Sequence, residues 1–268
     1  MDIPAALLLG LVQGLTEFLP ISSTGHLVLA REVFGLTFEH ALAYDAALHF
    51  ATALAVVVYF REEWKRLCIT TYAFVVDRSR VSVSDRILWL GLCVGTIPVV
   101  VLGFLFEDII ESALYSAQAV AVIMLASAAL FIGAEILMRG ASTHSLSVRR
   151  GYIIGLFQAC ALVPGMSRSG ATIAGGLLAG LSRVEAARFS FMLSLPIVAG
   201  VGILKTLSIG FSGVAASNLL ALALGSVVSF VVGLLCIHYF IKYLKHYSLI
   251  PFAVYLVIVA VVVLFTLS

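Results

Sequence analysis

The chain of 268 residues is far more apolar than a water-soluble protein, with 62% hydrophobic residues, 11% charged residues and a mean hydropathy of +1.14. Globular domains are about 45–50% apolar and about 25% charged, so this composition requires lipid as its solvent. The net charge of +2 excludes the strongly basic surface of a nucleic-acid-binding protein. The sequence therefore predicts a single integral-membrane domain over residues 1–268, with the lipid bilayer as its partner and no nucleic acid.

In chain order, the predicted elements are a broken hairpin, three spans, a second broken hairpin and three more spans. Six segments have the roughly 20 apolar residues that cross a bilayer as helix: Ala41–Phe60, Ile87–Phe106, Ala117–Met138, Phe189–Leu207, Leu219–Phe240 and Leu249–Leu267. The apolar stretches Ile3–Leu29 and Tyr152–Leu181 are each interrupted by a polar tip with glycine and proline. Their pieces, under about 17 residues long, are typical of re-entrant hairpins. The predicted fold is an all-α polytopic membrane protein with six transmembrane helices and two re-entrant helical hairpins.

The distribution of positive charge predicts the orientation. If both hairpins enter and leave on one side, four connecting segments share a face and carry 13 of the 16 lysines and arginines: 61–86, 139–150, 182–188 and 241–248. The opposite face keeps Arg31 and Lys205 beside five acidic residues: Glu32, Glu39, Glu107, Asp108 and Glu111. Cytoplasmic loops are rich in lysine and arginine, so the first face, including the loop with Cys68, is cytoplasmic and both termini lie outside.

An internal repeat is visible at an offset of 145 residues. Residues 10–13 (Gly-Leu-Val-Gln) align with residues 155–158 (Gly-Leu-Phe-Gln), and Ser22 aligns with Ser167. Each half is then a hairpin followed by three spans, over approximately residues 1–140 and 150–268. Because three is odd, the second copy enters from the opposite side, which makes an inverted-topology repeat; chance similarity between apolar segments is the alternative. In such folds the broken hairpins meet near the midplane and form the ligand site.

Both hairpin tips carry polar side chains, which are costly inside a membrane and mark function there. The first tip has Gln13, Thr16, Glu17, Ser22, Ser23, Thr24 and His26; the second has Gln158, Ser167, Arg168, Ser169 and Thr172. Arg168 offers a planar fork of donors that matches phosphate oxygens, in a sequence that resembles an anion nest at a helix start. Ser23 and His26 are three residues apart, close enough on one turn for the imidazole to reach the hydroxyl. Glu17 has three open roles: it orients His26, holds a divalent cation or acts as a base.

Each of these features also has a purely structural interpretation. Ser, Thr and Gly favour close helix contacts in lipid, a buried histidine is often a hydrogen-bonded core residue, and Arg168 could merely balance the charge of Glu17. Their coincidence in two matched broken hairpins favours a functional site. By contrast, we expect structural roles for four titratable residues near span ends: Asp45, His49, Glu135 and Glu185. We expect the scattered cysteines to pack as small hydrophobic residues rather than form disulfides: Cys68, Cys93, Cys160 and Cys236.

The two tip sequences, Gln13–His26 and Pro164–Thr172, closely resemble those of the undecaprenyl-pyrophosphate phosphatases of the bacitracin-resistance type. The resemblance implies a bacterial inner-membrane enzyme that removes one phosphate from the C55 lipid diphosphate carrier, with bacitracin competing by sequestering that substrate. It also implies dependence on a divalent cation (Mg²⁺ or Ca²⁺) and an active site open to the outer face. The family's functional positions are Glu17, Ser23, His26, Ser167, Arg168 and Thr172. Some members have glutamate at the position of Gln13, so a carboxylate role there is in doubt for this chain.

The working hypothesis is phosphoryl transfer, in which Ser23 attacks the terminal phosphorus with help from His26 or Glu17. The diphosphate would be held by Ser22, Thr24, Ser167, Arg168, Ser169, Gly170 and Thr172, and the cation by Glu17 with a weaker contribution from Gln13. Direct attack by water or by His26 is the alternative mechanism. A lipid transporter and an anion-binding sensor without turnover are the alternative functions. The sequence leaves the oligomeric state open, a homodimer included.

Overall fold

The computed structural model describes residues 2–36, 41–77, 81–113, 116–138, 144–209 and 216–266. Within these ranges the regular secondary structure consists of eleven α-helices: α1 (Ile3–Thr16), α2 (Ser23–Phe34), α3 (Ala41–Tyr59), α4 (Arg61–Val76), α5 (Val83–Ala113), α6 (Ala117–Leu137), α7 (Val148–Cys160), α8 (Arg168–Leu178), α9 (Arg183–Ile209), α10 (Ala216–Leu244) and α11 (Ile250–Thr266). The predicted all-helical architecture is confirmed.

The predicted spans coincide with α3, α5, α6, α9, α10 and α11. In the described part of the chain, three stretches are long and apolar enough to cross a membrane: Val83–Phe106, Ala117–Leu137 and Leu219–Leu244. Shorter apolar helices cover Ile3–Thr16, Tyr44–Tyr59 and Ile250–Thr266. This pattern confirms a helical membrane protein. Five charged residues of the predicted outer face, or their side chains, lie outside the described parts: Glu39, Glu107, Asp108, Glu111 and Lys205.

The sequence suggested that the basic segment 61–86 is a loop. In the structure, the first part of this segment forms α4. Leu67, Thr70 and Ala73 recur every three residues and are buried, while most of the charged side chains of the helix are exposed. Glu62 and Glu63 occupy the first turn of α4, where the helix dipole favours negative charge. The buried stripe contains threonine and alanine, so it is too weakly apolar to predict a helix by hydropathy.

Each predicted hairpin is divided into two helices at its polar tip. In the first, α1 ends at Thr16 and α2 begins at Ser23, capped by Ser22. In the second, α7 ends at Cys160 and α8 begins at Arg168, capped by Ser167. Both hairpins therefore place a helix N-terminus, with its partial positive charge, at the tip.

The two hairpins pack on the rest of the bundle through close glycine contacts. Helix α1 packs against α10, where a Cβ atom on Gly10 would meet the backbone of Gly225. Helix α7 packs against α5, where a Cβ atom on Gly155 would meet the backbone of Gly95. Small residues at such contacts let helix backbones approach closely in lipid. Helices α3 and α9 contact each other, and Phe191 of α9 packs edge-on against Phe18 of the first tip, with 5.2 Å between the ring centroids.

Three of the four titratable residues expected to be structural make local or interhelical contacts. Asp45 accepts two hydrogen bonds from Arg31, at 2.7 and 2.8 Å, and Glu185 accepts one from the Ser182 hydroxyl at 2.7 Å. Glu135 accepts from Arg183 and from the backbone of residue 249. The hydrogen bonds to Glu135 raise the pKa of Arg183, so this pair stays charged. These contacts agree with the structural roles expected for the three residues; the fourth residue, His49, lies in the candidate active site.

The four cysteines are free thiols, but they are not all packed inside. Cys236 is buried and its Sγ lies 3.3 Å from the carbonyl oxygen of Leu15. The other three are exposed: Cys68, Cys93 and Cys160. The structure thus has free thiols, as expected, with Cys236 in the core and the other three on outer helix faces.

Candidate active site

The tips of the two hairpins meet through a buried ion pair. Glu17, which directly follows α1, accepts a hydrogen bond at Oε1 from Nη2 of Arg168, the first residue of α8. The Glu17 side chain is 4% exposed and the Arg168 side chain 17%. A second contact supports the first, since the Ser169 hydroxyl donates to the Leu19 carbonyl oxygen at 3.0 Å. The two candidate tips, 151 residues apart in the chain, therefore form one site.

Glu17 also connects the candidate nucleophile to this ion pair. The Ser23 hydroxyl donates to Glu17 Oε2 at 2.7 Å, and the Gln13 amide nitrogen donates to the same oxygen at 2.9 Å. One carboxylate thus contacts the hydroxyl with Oε2 and the guanidinium with Oε1. A carboxylate at hydrogen-bond distance from a serine hydroxyl has the geometry of a general base.

His26 does not contact Ser23, in contrast to the expectation from their spacing. Its Nδ1 lies 2.9 Å from the carbonyl oxygen of Ser22, and its Nε2 lies 2.8 Å from the hydroxyl of Tyr255 on α11. The imidazole also stacks on the Tyr255 ring, with 5.6 Å between centroids. Because the Ser23 hydroxyl turns to Glu17 and the imidazole to α11, the two side chains leave the same helix turn in different directions.

Most hydroxyls of the second tip make internal hydrogen bonds. Ser167 Oγ accepts from the backbone N–H of Gly170 at 3.1 Å and so caps α8. Thr172 is fully buried, donates to the Arg168 carbonyl oxygen at 2.7 Å and lies 2.6 Å from the Ser190 hydroxyl. Gly170 faces the ring of Phe131, where a Cβ atom would clash. These groups fix the start of α8, and with it the position of Arg168.

The remaining residues of the predicted diphosphate cradle lie in the first turn of α2. Ser22 Oγ accepts a hydrogen bond from the Gly25 backbone at 3.4 Å and caps the helix. Ser22 has a φ of 69°, a conformation that non-glycine residues seldom adopt and that tends to occur at functional sites. Thr24 is half-buried beside it. The first tip therefore presents backbone N–H groups and hydroxyls at a helix start.

Two buried polar atoms beside Glu17 have no hydrogen-bond partner. They are Nη1 of Arg168 and Oε1 of Gln13. An unsatisfied buried polar group costs about 1–3 kcal/mol, so its presence needs an explanation such as a missing ligand. An unpaired guanidinium N–H next to two helix N-termini favours an anion, and an unpaired amide oxygen favours a donor or a cation.

Sequence reasoning missed two residues of the site, His49 and Tyr255. His49 Nδ1, on α3, lies 3.1 Å from Glu17 Oε2 and 2.8 Å from the Gln13 amide nitrogen. His49, for which a structural role was expected, thus lies against the carboxylate of the candidate site. A signal was present, because Asp45, His49 and Thr52 form a polar stripe on one face of an apolar helix, as is typical of functional residues in membrane helices. Tyr255 had no comparable signal in the apolar sequence of α11.

Comparison with known proteins assigns the chain to a family. Residues 6–262 match the family of bacitracin resistance protein BacA. An undecaprenyl-diphosphatase of Rubrobacter xylanophilus is 43% identical over 95% of this chain and 94% of its own length. An undecaprenyl-diphosphatase of Alcanivorax borkumensis is 42% identical over 100% of both chains, and undecaprenyl-diphosphatase 2 of Stutzerimonas stutzeri is 40% identical over 100% of this chain and 99% of its own. The two hairpin tips thus lie in a chain that belongs, over nearly its whole length, to the bacitracin resistance protein BacA family.

Proposed function

We propose that the chain is an undecaprenyl-diphosphatase: it hydrolyses undecaprenyl diphosphate to undecaprenyl phosphate and inorganic phosphate. This reaction recycles the lipid carrier for cell-wall polysaccharide synthesis and confers bacitracin resistance, with bacitracin competing by sequestering the substrate. Full-length relatives that bear this name support the proposal. The observation that carries it is the chain of contacts from the Ser23 hydroxyl through Glu17 to Arg168, which joins a nucleophile, a base and an anion-binding group.

Arg168 and the N-termini of two helices are the groups proposed to bind phosphate. Nη2 of Arg168 is held by Glu17, while Nη1 is buried without a partner and is available to a phosphate oxygen. The N-termini of α2 and α8 both lie at the site and add partial positive charge. Phosphoryl transfer needs mainly positioning and charge neutralisation, which these groups supply.

Glu17 is better placed than His26 to activate Ser23. In the proposed reaction Ser23 Oγ attacks the terminal phosphorus, its proton passes to Glu17 Oε2, and the bond between that phosphorus and the bridging oxygen breaks. Undecaprenyl phosphate leaves with the bridging oxygen and takes this proton, which returns Glu17 to its carboxylate form. Water then attacks the phosphoserine and gives a proton to Glu17. The bond between phosphorus and Ser23 Oγ breaks, Glu17 passes the proton to Oγ, and the products are inorganic phosphate and the restored hydroxyl. His26, held between α2 and Tyr255, would shape the wall of the site.

Direct attack by water is the alternative, and labelled phosphate distinguishes the two routes. Purified protein in detergent is mixed with substrate labelled in the terminal phosphate and quenched in acid within one turnover. Release of inorganic phosphate tests the proposed function itself. Label that stays on the protein and maps to residue 23 supports the phosphoserine. Rapid release with no protein-bound label at any time point, in acid and in a parallel alkaline quench that preserves phosphohistidine, supports attack by water.

The residues around Glu17 also fit a divalent cation. Gln13 Oε1 is a buried oxygen without a hydrogen-bond partner, and a half-turn of the amide places it against the Glu17 carboxylate, where Nε2 now lies. Oxygen atoms of these two types are ligands of Mg²⁺ and Ca²⁺. We propose that both residues hold the cation. Its contribution when bound would be to offset negative charge on the diphosphate.

We further propose six spans and two re-entrant hairpins in an inverted repeat. The pairing of α1 with α10 and of α7 with α5, each through two facing glycines, supports this arrangement because Gly10 and Gly155 are equivalent positions of the two halves. The bias of positive charge supports an orientation with both termini on the outer face. Membership of the family supports the proposal of a bacterial inner-membrane location with the site open to the outer face.

A further inference from the structure

Three side-chain atoms of the site form a nearly equilateral triangle. The Gln13 amide nitrogen is 2.9 Å from Glu17 Oε2 and 2.8 Å from His49 Nδ1, and the last two atoms are 3.1 Å apart. Gln13 and Glu17 are at most 5% exposed, and the His49 side chain is 24% exposed. The three atoms therefore face one another in a small and largely dry space.

While Glu17 is ionised as the partner of Arg168, no placement of protons gives a hydrogen bond along all three edges of this triangle. If His49 Nδ1 is an acceptor, it faces the carboxylate oxygen, another acceptor, at 3.1 Å. If His49 Nδ1 carries a proton, it faces the amide N–H of Gln13, another donor, at 2.8 Å. Each proton arrangement leaves one unfavourable edge, and Gln13 Oε1 still has no partner.

A cation above the triangle removes the conflict. A half-turn of the Gln13 amide places Oε1 close to the present position of the nitrogen, since the two ends of a carboxamide are almost equal in shape. The amide oxygen, the carboxylate oxygen and the imidazole nitrogen are then three ligands. In an octahedron with metal–ligand bonds of about 2.1 Å, neighbouring ligands are about 3.0 Å apart, close to all three observed edges.

We propose that His49 is the third protein ligand of a divalent-cation site that it forms with Gln13 and Glu17. The inference deepens the proposed function, on which the reason to hold a cation rests. Imidazole suits first-row transition metals better than Ca²⁺ or Mg²⁺, which prefer oxygen. The site of this chain should therefore bind Mn²⁺ and Co²⁺ more tightly than Mg²⁺ or Ca²⁺, and His49 should be responsible for that preference.

Cation binding by the purified full-length protein, without substrate, tests the assignment. The free Mn²⁺ signal in electron paramagnetic resonance is followed during titration, with Co²⁺, Mg²⁺ and Ca²⁺ as competitors. We expect His49→Gln to weaken Mn²⁺ binding at least about tenfold, since losing even an outer partner of a metal ligand costs 10–100-fold. In the same variant, the ratio of the affinity for Co²⁺ to the affinity for Mg²⁺ should fall. Gln13→Glu, which adds ligand charge, should bind Mn²⁺ more tightly, and His246→Gln, on an exposed histidine, should match the unaltered protein.

Two results would overturn the inference: binding by His49→Gln within twofold of the unaltered protein, or no Mn²⁺ binding by the unaltered protein. If His49→Gln does not fold, the unaltered protein still gives an answer, because electron-spin-echo modulation detects an imidazole nitrogen bound to Mn²⁺. Absence of that nitrogen coupling also overturns the inference. Phosphate release is measured separately, so active protein with unchanged cation binding in His49→Gln refutes the ligand role alone. If the unaltered protein releases no phosphate while His49→Gln still weakens Mn²⁺ binding, the phosphatase alone is refuted.

Discussion

At the scale of single residues, Glu17 is the link between the two hairpins, since its two oxygens contact different partners. Oε1 accepts from Arg168 of the second hairpin, and Oε2 accepts from Ser23 and Gln13 of the first. A substitution at Glu17 would disturb several contacts at once and leave Arg168 buried without a counter-charge. The informative substitutions are therefore those of its partners, which separate chemistry from folding.

The first prediction concerns Ser23. Ser23→Ala should abolish turnover in a phosphate-release assay and leave substrate binding largely intact, because the anion-binding guanidinium belongs to the other hairpin. The variant removes one of three groups that contact Oε2, so the Glu17–Arg168 pair should persist. Binding of a non-hydrolysable lipid diphosphate analogue is the control. A near-normal kcat would refute the phosphoserine route and favour attack by water.

A second prediction separates phosphate binding by Arg168 from charge balance. If Arg168 merely neutralises Glu17, Arg168→Lys should retain activity, since both side chains carry one positive charge. If Arg168 binds phosphate, lysine cannot hold Glu17 and a phosphate oxygen with one planar fork. We then expect kcat to fall roughly 10²–10³-fold, as it does when other preorganised donors are removed. Expression level and thermal unfolding are checked first, and a well-folded lysine variant with full activity would leave Arg168 a structural partner.

Sequence reasoning located most of the site because membrane-buried polar residues are costly and therefore conspicuous. Glu17, Ser23 and Arg168 were predicted together and do make contact. The partners of His26 and His49 could not be predicted in the same way. Spacing along a helix limits which side chains can meet, but the direction of each side chain depends on the packing of helices distant in the chain, here α3 and α11.

At the scale of helices, the glycine contacts make a prediction that does not involve chemistry. Gly155→Ala places a methyl group against the Gly95 backbone, so α5 and α7 must separate. We expect a lower melting temperature and less folded protein, with the activity per folded molecule nearly unchanged. Gly133→Ala is the matched control: a Cβ atom there has open space, and alanine is favoured over glycine in a helix by about 1 kcal/mol. Equal melting temperatures for both variants would contradict the close contact.

Hydropathy and the polar tips predicted most of the helices and their ends, but they did not predict α4. Long apolar runs with clear ends specify helices in lipid, because all backbone hydrogen bonds must be satisfied inside the segment. In α4, only Leu67 is a strongly apolar member of the buried stripe, and the charged residues around it lowered the local hydropathy. A helix lying beside the bundle, rather than across a membrane, is recognised by period and not by mean hydropathy.

At the scale of the whole molecule, orientation is open to direct measurement. Cys68 is exposed on α4, and the charge bias predicts that it faces the cytoplasm. A variant that retains only this cysteine should resist a membrane-impermeant thiol reagent in intact cells and react once the membrane is opened. Glu32→Cys in a cysteine-free background, at an exposed position predicted to be outside, should react in intact cells. The opposite pattern would reverse the proposed orientation.

The packing of α1 against α10 has a consequence for the order in which the protein matures. Helix α1 leaves the ribosome before the other described helices, but the helix that it packs against, α10, begins only at Ala216. The helix that carries Gln13 therefore lacks its main packing partner until nearly the whole chain is synthesised. Glu17, which follows that helix, can pair with Arg168 only after the second hairpin is made. Domains usually fold from the N-terminus as synthesis proceeds. In this protein the earliest segment is among the last to be fully packed, so a truncated or stalled chain contains most of the helices but no assembled active site.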